Sequence, residues 1–319
     1  MNKFKSFVSS AFARVKNARK RKASLLWATT ASFGLALILT LIPAGAQSKG
    51  SFVSSPGAAP DPIAAQNTTT RDFAAPTVFQ AAGPTVASIQ SSVDAFRAAL
   101  GNPNNGNATG PLASGRREIN WDGGGANDTT TAPVTPFNVF LNTRGGQFTT
   151  PGTGLSQAPP SGGPQGGLVG LFNNATYGTA FKAFSPLRLF TPVGSNITNA
   201  AFFLPGSNGN VPATVKGFGV VFTDVDQPDG SGPSKKQGNR RASTLIEVFG
   251  VGGELLFSSF VPASPGDGSQ SFFGITYNDA RIARVQITAG NVAPGVDDDI
   301  QNDIVMMDDF IYGEPQTTP

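Results

Sequence analysis

Two groups of aspartates carry most of the chemistry available to this chain. The first ends a hydrophobic run: VKGFGVVFTDVDQPDG, from Val215 to Gly230, places Asp224, Asp226 and Asp229-Gly230 at alternate positions beside a glycine turn. Oxygens so spaced are the raw material of a calcium loop, but the EF-hand pattern is not met, because Pro228 stands where the third ligand belongs and no Glu follows at the required distance. Taken alone, this stretch reads as an Asp-rich turn. The second group surrounds the last apolar run. Asp297, Asp298, Asp299 and Asp303 precede it, and Asp308 and Asp309 lie within it.

Period-two alternation along 304–312 sends Asp308 and Asp309 to opposite faces of a strand. Whichever points inward lies among Met and Phe or Ile neighbours, where an unpaired carboxylate is costly and calls for a cation, donors or a proton. Arg116, Arg117 and Arg188 offer a buried ion pair as one solution. The surplus of acids nearby favours the other, a structural calcium with Asp308 at its centre, Glu118 and Asp224 as partners, and Asp122 and Asp309 behind them.

Neither His nor Cys occurs in 319 residues. A Ser-His-Asp triad, a Cys-His dyad and a His-ligated zinc are therefore excluded, and catalysis would fall to a carboxylate pair, a Ser-Lys dyad or a Tyr or Lys acid. Glycosidases use two acids about 5 to 10 Å apart. Only Asp224, Asp226 and Glu247 approach such a set, so the expectation is a non-catalytic chain. Trp121, with Asn120 beside it, and Tyr177 are the candidates for stacking on a sugar. Lys235, Lys236, Arg240 and Arg241 lack interleaved aromatics and read as a solvated loop rather than a nucleic-acid site.

Short apolar or alternating runs divided by Gly, Pro, Asn and Asp fill the chain after Arg116 and predict an all-β, two-sheet antiparallel sandwich, jelly-roll-like, over 116–315. Expected strands are 117–121, 137–141, 187–190, 200–204, 215–224, 244–249, 255–261, 271–277, 282–288 and 304–312. Gly250 to Gly253 makes 244–261 the clearest hairpin. The Gly/Pro-rich stretch 151–167 reads as a surface loop. Before the sandwich, Val86, Ile89, Val93, Phe96 and Leu100 give one apolar stripe on a short helix over 85–100, followed by a linker over 101–115. Residues 47–84, rich in Ala, Pro, Ser and Thr, read as a flexible spacer.

Eight basic residues and no acid in the first 24 positions, an apolar stretch to Ile42 and Ala44-Gly45-Ala46 predict a signal peptide over 1–46. Its removal takes eight of the 23 basic side chains and none of the 20 acids, leaving a net charge of −5. Such a chain is not built for nucleic acid, and the membrane is a partner only if the segment is retained. With no cysteine to staple it, the secreted domain rests on its core. Five Asn-x-Thr sequons fit a chance product of an Asn/Thr-rich bacterial composition.

DDFIYG (308–313), REINWDG (117–123), LFTPVGSNIT (189–198) and GFGVVFTDVD (217–226) together resemble a group of uncharacterised secreted β-sandwich proteins of environmental bacteria. More weakly, the chain is similar to carbohydrate-binding and galactose-binding-like jelly rolls. That likeness implies a calcium joining an acid of the first strand to one of the last, here Glu118 and Asp308. The resulting expectation is a secreted binding protein for an extracellular polysaccharide or a cell-surface component. The alternatives are a structural or adhesive surface protein and, third, a carboxylate-dependent glycoside-processing enzyme.

Overall fold

The computed structural model describes residues 75–122, 133–163, 165–227, 244–299 and 301–318. The segment expected to direct export, the expected spacer up to residue 74, Asp229-Gly230 and the basic run at 235–241 lie outside the described residues. In chain order the elements are β1 (Thr77–Gly83), α1 (Val86–Leu100), β2 (Arg116–Ile119), α2 (Leu141–Arg144), β3 (Gly146–Thr149), β4 (Gly154–Ala158), α3 (Gly167–Phe172) and α4 (Tyr177–Ala180). There follow β5 (Leu189–Val193), β6 (Ile197–Phe202), β7 (Ala213–Thr214), β8 (Gly217–Thr223), β9 (Leu245–Phe249), β10 (Leu255–Phe260), β11 (Gln270–Thr276), β12 (Arg284–Thr288), β13 (Met306–Gly313) and β14 (Gln316–Thr317).

The fold is an all-β, two-sheet antiparallel sandwich. One sheet runs β1-β11-β8-β13-β5-β4, with β2 also pairing β13, and the other runs β10-β9-β12-β6-β3. Among the described residues, only β4-β5 and β9-β10 are neighbours both in sequence and in a sheet, and apart from the step from β1 to β2 the other connections cross between sheets. The inner faces meet in one core that draws Phe218, Val220 and Phe222 from β8, Phe310 and Tyr312 from β13, and Ile246, Val248, Val285 and Ile287 from the opposite sheet.

Burial explains why the two sheets differ in sequence. β8, β11 and β13 are buried on both faces and show no apolar-polar alternation, although Asp308-Asp309 interrupt β13 and Gln270-Ser271 open β11, because helices cover the outside of the first sheet. α1 contributes Ile89, Val93, Phe96 and Leu100 to a cluster with Val221, Phe272 and Ile311. Phe96 reaches the sheet over Gly219 and Gly274, which face each other across β8 and β11. A β-carbon on either glycine would meet the Phe96 ring, at 2.6 Å for Gly219 and 3.0 Å for Gly274. β6, β9 and β12 instead alternate buried and half-buried, so the second sheet keeps one face toward water.

Four expectations are corrected. Thr77–Gly83, placed in the spacer, forms β1 and pairs with β11 in full register. Within 137–141, Phe137 makes only an isolated bridge to Phe148, and the chain then turns into α2. The stretch read as a loop over 151–167 contains β4, paired with β5. β3 was not anticipated.

Candidate metal centre

Asp224 follows the last residue of β8 and takes a left-handed backbone, φ 69°, which turns the chain out of the sheet. Its N–H donates to the Ser269 carbonyl at 3.1 Å, and Ser264 N–H donates to Val225 O at 2.9 Å, so the strand end is tied to the segment before β11. Two residues on, the Asp226 N–H donates to Asp303 Oδ1 (3.2 Å) and Asp226 Oδ1 accepts from Gly266 N–H (2.9 Å). The segment before β13 supplies the rest. Asp298 Oδ1 accepts from Ile304 N–H at 2.8 Å, and Asp303 N–H donates to Asn291 Oδ1 at 3.0 Å.

These bonds bring one carboxylate oxygen each from Asp224, Asp226 and Asp298 within 4.8 Å of one another, a group that could hold a metal ion. Asp224 is 1% exposed, and neither of its carboxylate oxygens has a hydrogen-bond donor. Asp303 is equally buried, and its Oδ2 is also without a donor. Burial drives the Asp224 carboxyl up to about 9, with Asp298, Asp226, Asp267 and Asp303 adding repulsion. Burial likewise raises Asp303 to about 8, against the pull of the Asp226 N–H, and Asp298 to about 6, against that of Ile304 N–H. The groups acting most strongly on Asp224 are all aspartates, and among the described residues no donor reaches its carboxylate oxygens. A cation or a proton would relieve their repulsion.

The site expected around Asp308 is divided by the structure. Asp224 belongs to the centre just described, whereas Asp308, Asp309, Glu118 and Asp122 lie elsewhere. The physical reason is a register shift in β13 between Met307 and Phe310, which breaks the alternation that would set Asp308 and Asp309 on opposite faces. Both instead reach Ser185, whose hydroxyl lies 2.7 Å from Asp309 Oδ1 and 3.3 Å from Asp308 Oδ1. Asp308 Oδ2 accepts from the N–H groups of Phe184 (2.5 Å) and Ser185 (3.3 Å). Burial and then Asp309 push the Asp308 carboxyl well up, and burial also raises Asp309. Those donors meet the need that a calcium was expected to meet, so Asp308 is not the central ligand.

Asp309 also accepts from Arg97 at 3.3 Å, and Glu118 accepts from Arg97 (2.9 Å) and Arg116 (2.6 Å). The expected partners Arg117 and Arg188 are used elsewhere. Arg117 forms a buried pair with Glu314 at 2.6 Å, and Arg188 donates to Asp122 O. Asp122 caps the Leu187 and Arg188 N–H groups, at 2.5 and 2.8 Å. Glu118, Asn120 and Asp309 line a polar cleft of 390 Å³ together with Arg97, Arg144 and Ser185.

Neither proposed stacking platform is available to a ligand. Trp121 is fully buried, stacked on Phe190 at 3.7 Å and ringed by Phe137, Phe140, Phe148 and Phe310, with its indole N–H donating to Asp308 O. Tyr177 is buried, its hydroxyl donating to Val296 O and accepting from Gly295 N–H, each at 2.8 Å, and burial raises its phenol to about 12. Large aromatics in a cysteine-free sandwich are core first. What the sequence reading missed is the partnership of Asp224 with Asp298 and Asp303. Its visible signal was the acidic run before β13, read there as a reservoir around Asp308. Compared with protein-family models, with curated proteins and with solved structures, the chain matches none.

Proposed function

We propose that this chain is an exported, non-catalytic β-sandwich that binds an extracellular polysaccharide and is stabilised by calcium at Asp224, Asp226 and Asp298, with Asp303 behind them. The observation that carries the metal is the Asp224 carboxylate, buried with no donor on either oxygen. A ligand set of oxygens alone suits a hard cation and not zinc. Calcium is favoured over magnesium because the carboxylates come from irregular loop backbone, and calcium tolerates irregular geometry where magnesium demands a near-ideal octahedron. The cation would lock the end of β8 to the segment leading into β13, which is a structural role. The basic, apolar and small-residue pattern of the first 46 positions supports export, to a compartment where weak sites of this kind fill.

Thermal unfolding of the exported chain in calcium and in chelator tests the reading. Calcium at about a hundred times its dissociation constant adds about 2.7 kcal/mol, several degrees in midpoint for a domain of this size. Asp224→Asn replaces a carboxyl that must take up a proton to be buried and places Asn in the left-handed region it tolerates. The variant is therefore expected to melt higher than wild type in chelator and to lose the calcium response. Equal midpoints for wild type in calcium and chelator would remove the metal from the proposal.

A further inference from the structure

The outer face of the second sheet carries a row of hydrogen-bonding side chains that crosses all five strands. The registers pair Thr149 with Asn199, Asn199 with Gln286, Gln286 with Glu247, and Glu247 with Ser258. All five are half-buried or exposed. Strands lie about 4.8 Å apart, so the row is about 19 Å long. Its groups recur at a spacing close to that of successive sugars in an extended pyranose polymer.

Beside the row, Arg284 lies flat over Phe249, with its guanidinium carbon 3.7 Å from the ring centroid. The same guanidinium donates to Asn199 Oδ1 (3.1 Å) and Gln286 Oε1 (3.4 Å), which fixes those amides in one orientation. Arg284 and Glu247 are the only charges on the outward-facing positions of these five strands, and they are of opposite sign. A face kept merely soluble carries many mixed charges. This one carries a central row of amide, hydroxyl and carboxylate groups with the stacked guanidinium on one side of it and Ile197, Leu245 and Phe260 on the other.

We infer that this face is the docking surface for a linear, uncharged polysaccharide lying across the strands, held by the Thr149-Asn199-Gln286-Glu247-Ser258 row and by the Arg284-Phe249 stack. The inference rests on the polysaccharide reading above and assigns it a surface. Charge selects the occupant. A polyanion would meet Glu247 in mid-row with one guanidinium to offset it, and a protein partner of ordinary kind would need an apolar centre where the row is polar. Hydroxyls donate and accept, as the amides and Glu247 require.

The test is affinity electrophoresis of the exported chain in calcium through gels containing β-glucan, xylan or mannan, with alginate as the anionic probe. Retardation by at least one neutral polymer and not by alginate is expected. Arg284→Ala and the double variant Glu247→Ala, Gln286→Ala should each weaken it at least tenfold. Asp279→Ala, on an exposed aspartate outside these strands, should leave it unchanged. Thermal midpoints close to wild type certify that the variants fold. Retardation that survives both face variants overturns this assignment while leaving the polysaccharide reading intact, whereas no retardation by any polymer overturns both. Preference for alginate overturns the charge argument. Self-association in sedimentation that the face variants abolish would make the face a contact between copies and overturn the inference.

Discussion

Asp224 gives the calcium-free protein a pH dependence opposite to that of most carboxylates. Its folded value of about 9 lies far above the 3.8 of an unperturbed side chain, so between those limits the folded chain holds a proton that the unfolded chain has released. Stability in chelator therefore falls as pH rises through that window. Asp303, raised to about 8, acts in the same direction. Melting in chelator at about pH 5, 7 and 9 should show a descending midpoint, and calcium should restore most of the loss at the alkaline end, because the ion replaces the protons. A midpoint in chelator that climbs from acid to alkali would contradict the burial of Asp224. Asp308→Asn gives a contrasting expectation. The amide can still accept from Phe184 N–H and removes a charge repelled by Asp309, so stability should change by less than about 1 kcal/mol, with the calcium response intact. Trp121→Ala should cost about 3–5 kcal/mol, because it opens the centre of an aromatic cluster, and denaturant unfolding measures it.

Among the elements, α1 depends most sharply on two residues outside itself. Gly219→Ala would place a methyl group 2.6 Å from the Phe96 ring, which forces the helix off the sheet at a cost of about 1–3 kcal/mol. Amide exchange in 86–100 should accelerate more than exchange in β9 or β12, and uniform acceleration would show that α1 is not separately held. The helix itself was legible, since Val86 through Leu100 repeat at helical spacing. So were β8, β11 and β13, whose burial on both faces shows in the apolar segments GFGVVF, FFGI and FIY. β3 and β4 were not legible. GQFT and GLSQA have no run to recognise, and β4 is buried by position, through its pairing with β5 and the bridge from Val134 to Leu155. At the candidate site, Asp224 and Asp226 were legible as acids ending a strand, but their distant partners Asp298 and Asp303 were not. Alternation assumes an uninterrupted strand, and the register shift at 307–310 cannot be read from residue types. The error that moved Asp308 into a metal site is thus a backbone event of one residue.

At the scale of the molecule, the chain closes on itself late. β1 pairs with β11 across about two hundred residues (Thr77 with Thr276), and β2 pairs with β13 (Arg117 with Tyr312). β13 touches β8, β2 and β5, and so stands at the centre of the first sheet although it is formed from 306–313. A chain truncated after residue 305 should therefore lose its cooperative unfolding transition rather than a fraction of its stability, and calorimetry distinguishes the two. The same placement bears on when the chain can fold as it is made. Until the ribosome has delivered the central strand, β2 has no partner and β5 and β8 each lack one neighbour, so the first sheet stays in two parts. Folding dominated by such distant pairings is slow, on the order of milliseconds to seconds. Under the export proposed above, a secretion channel that threads only unfolded polypeptide would meet a substrate whose own topology postpones its folding.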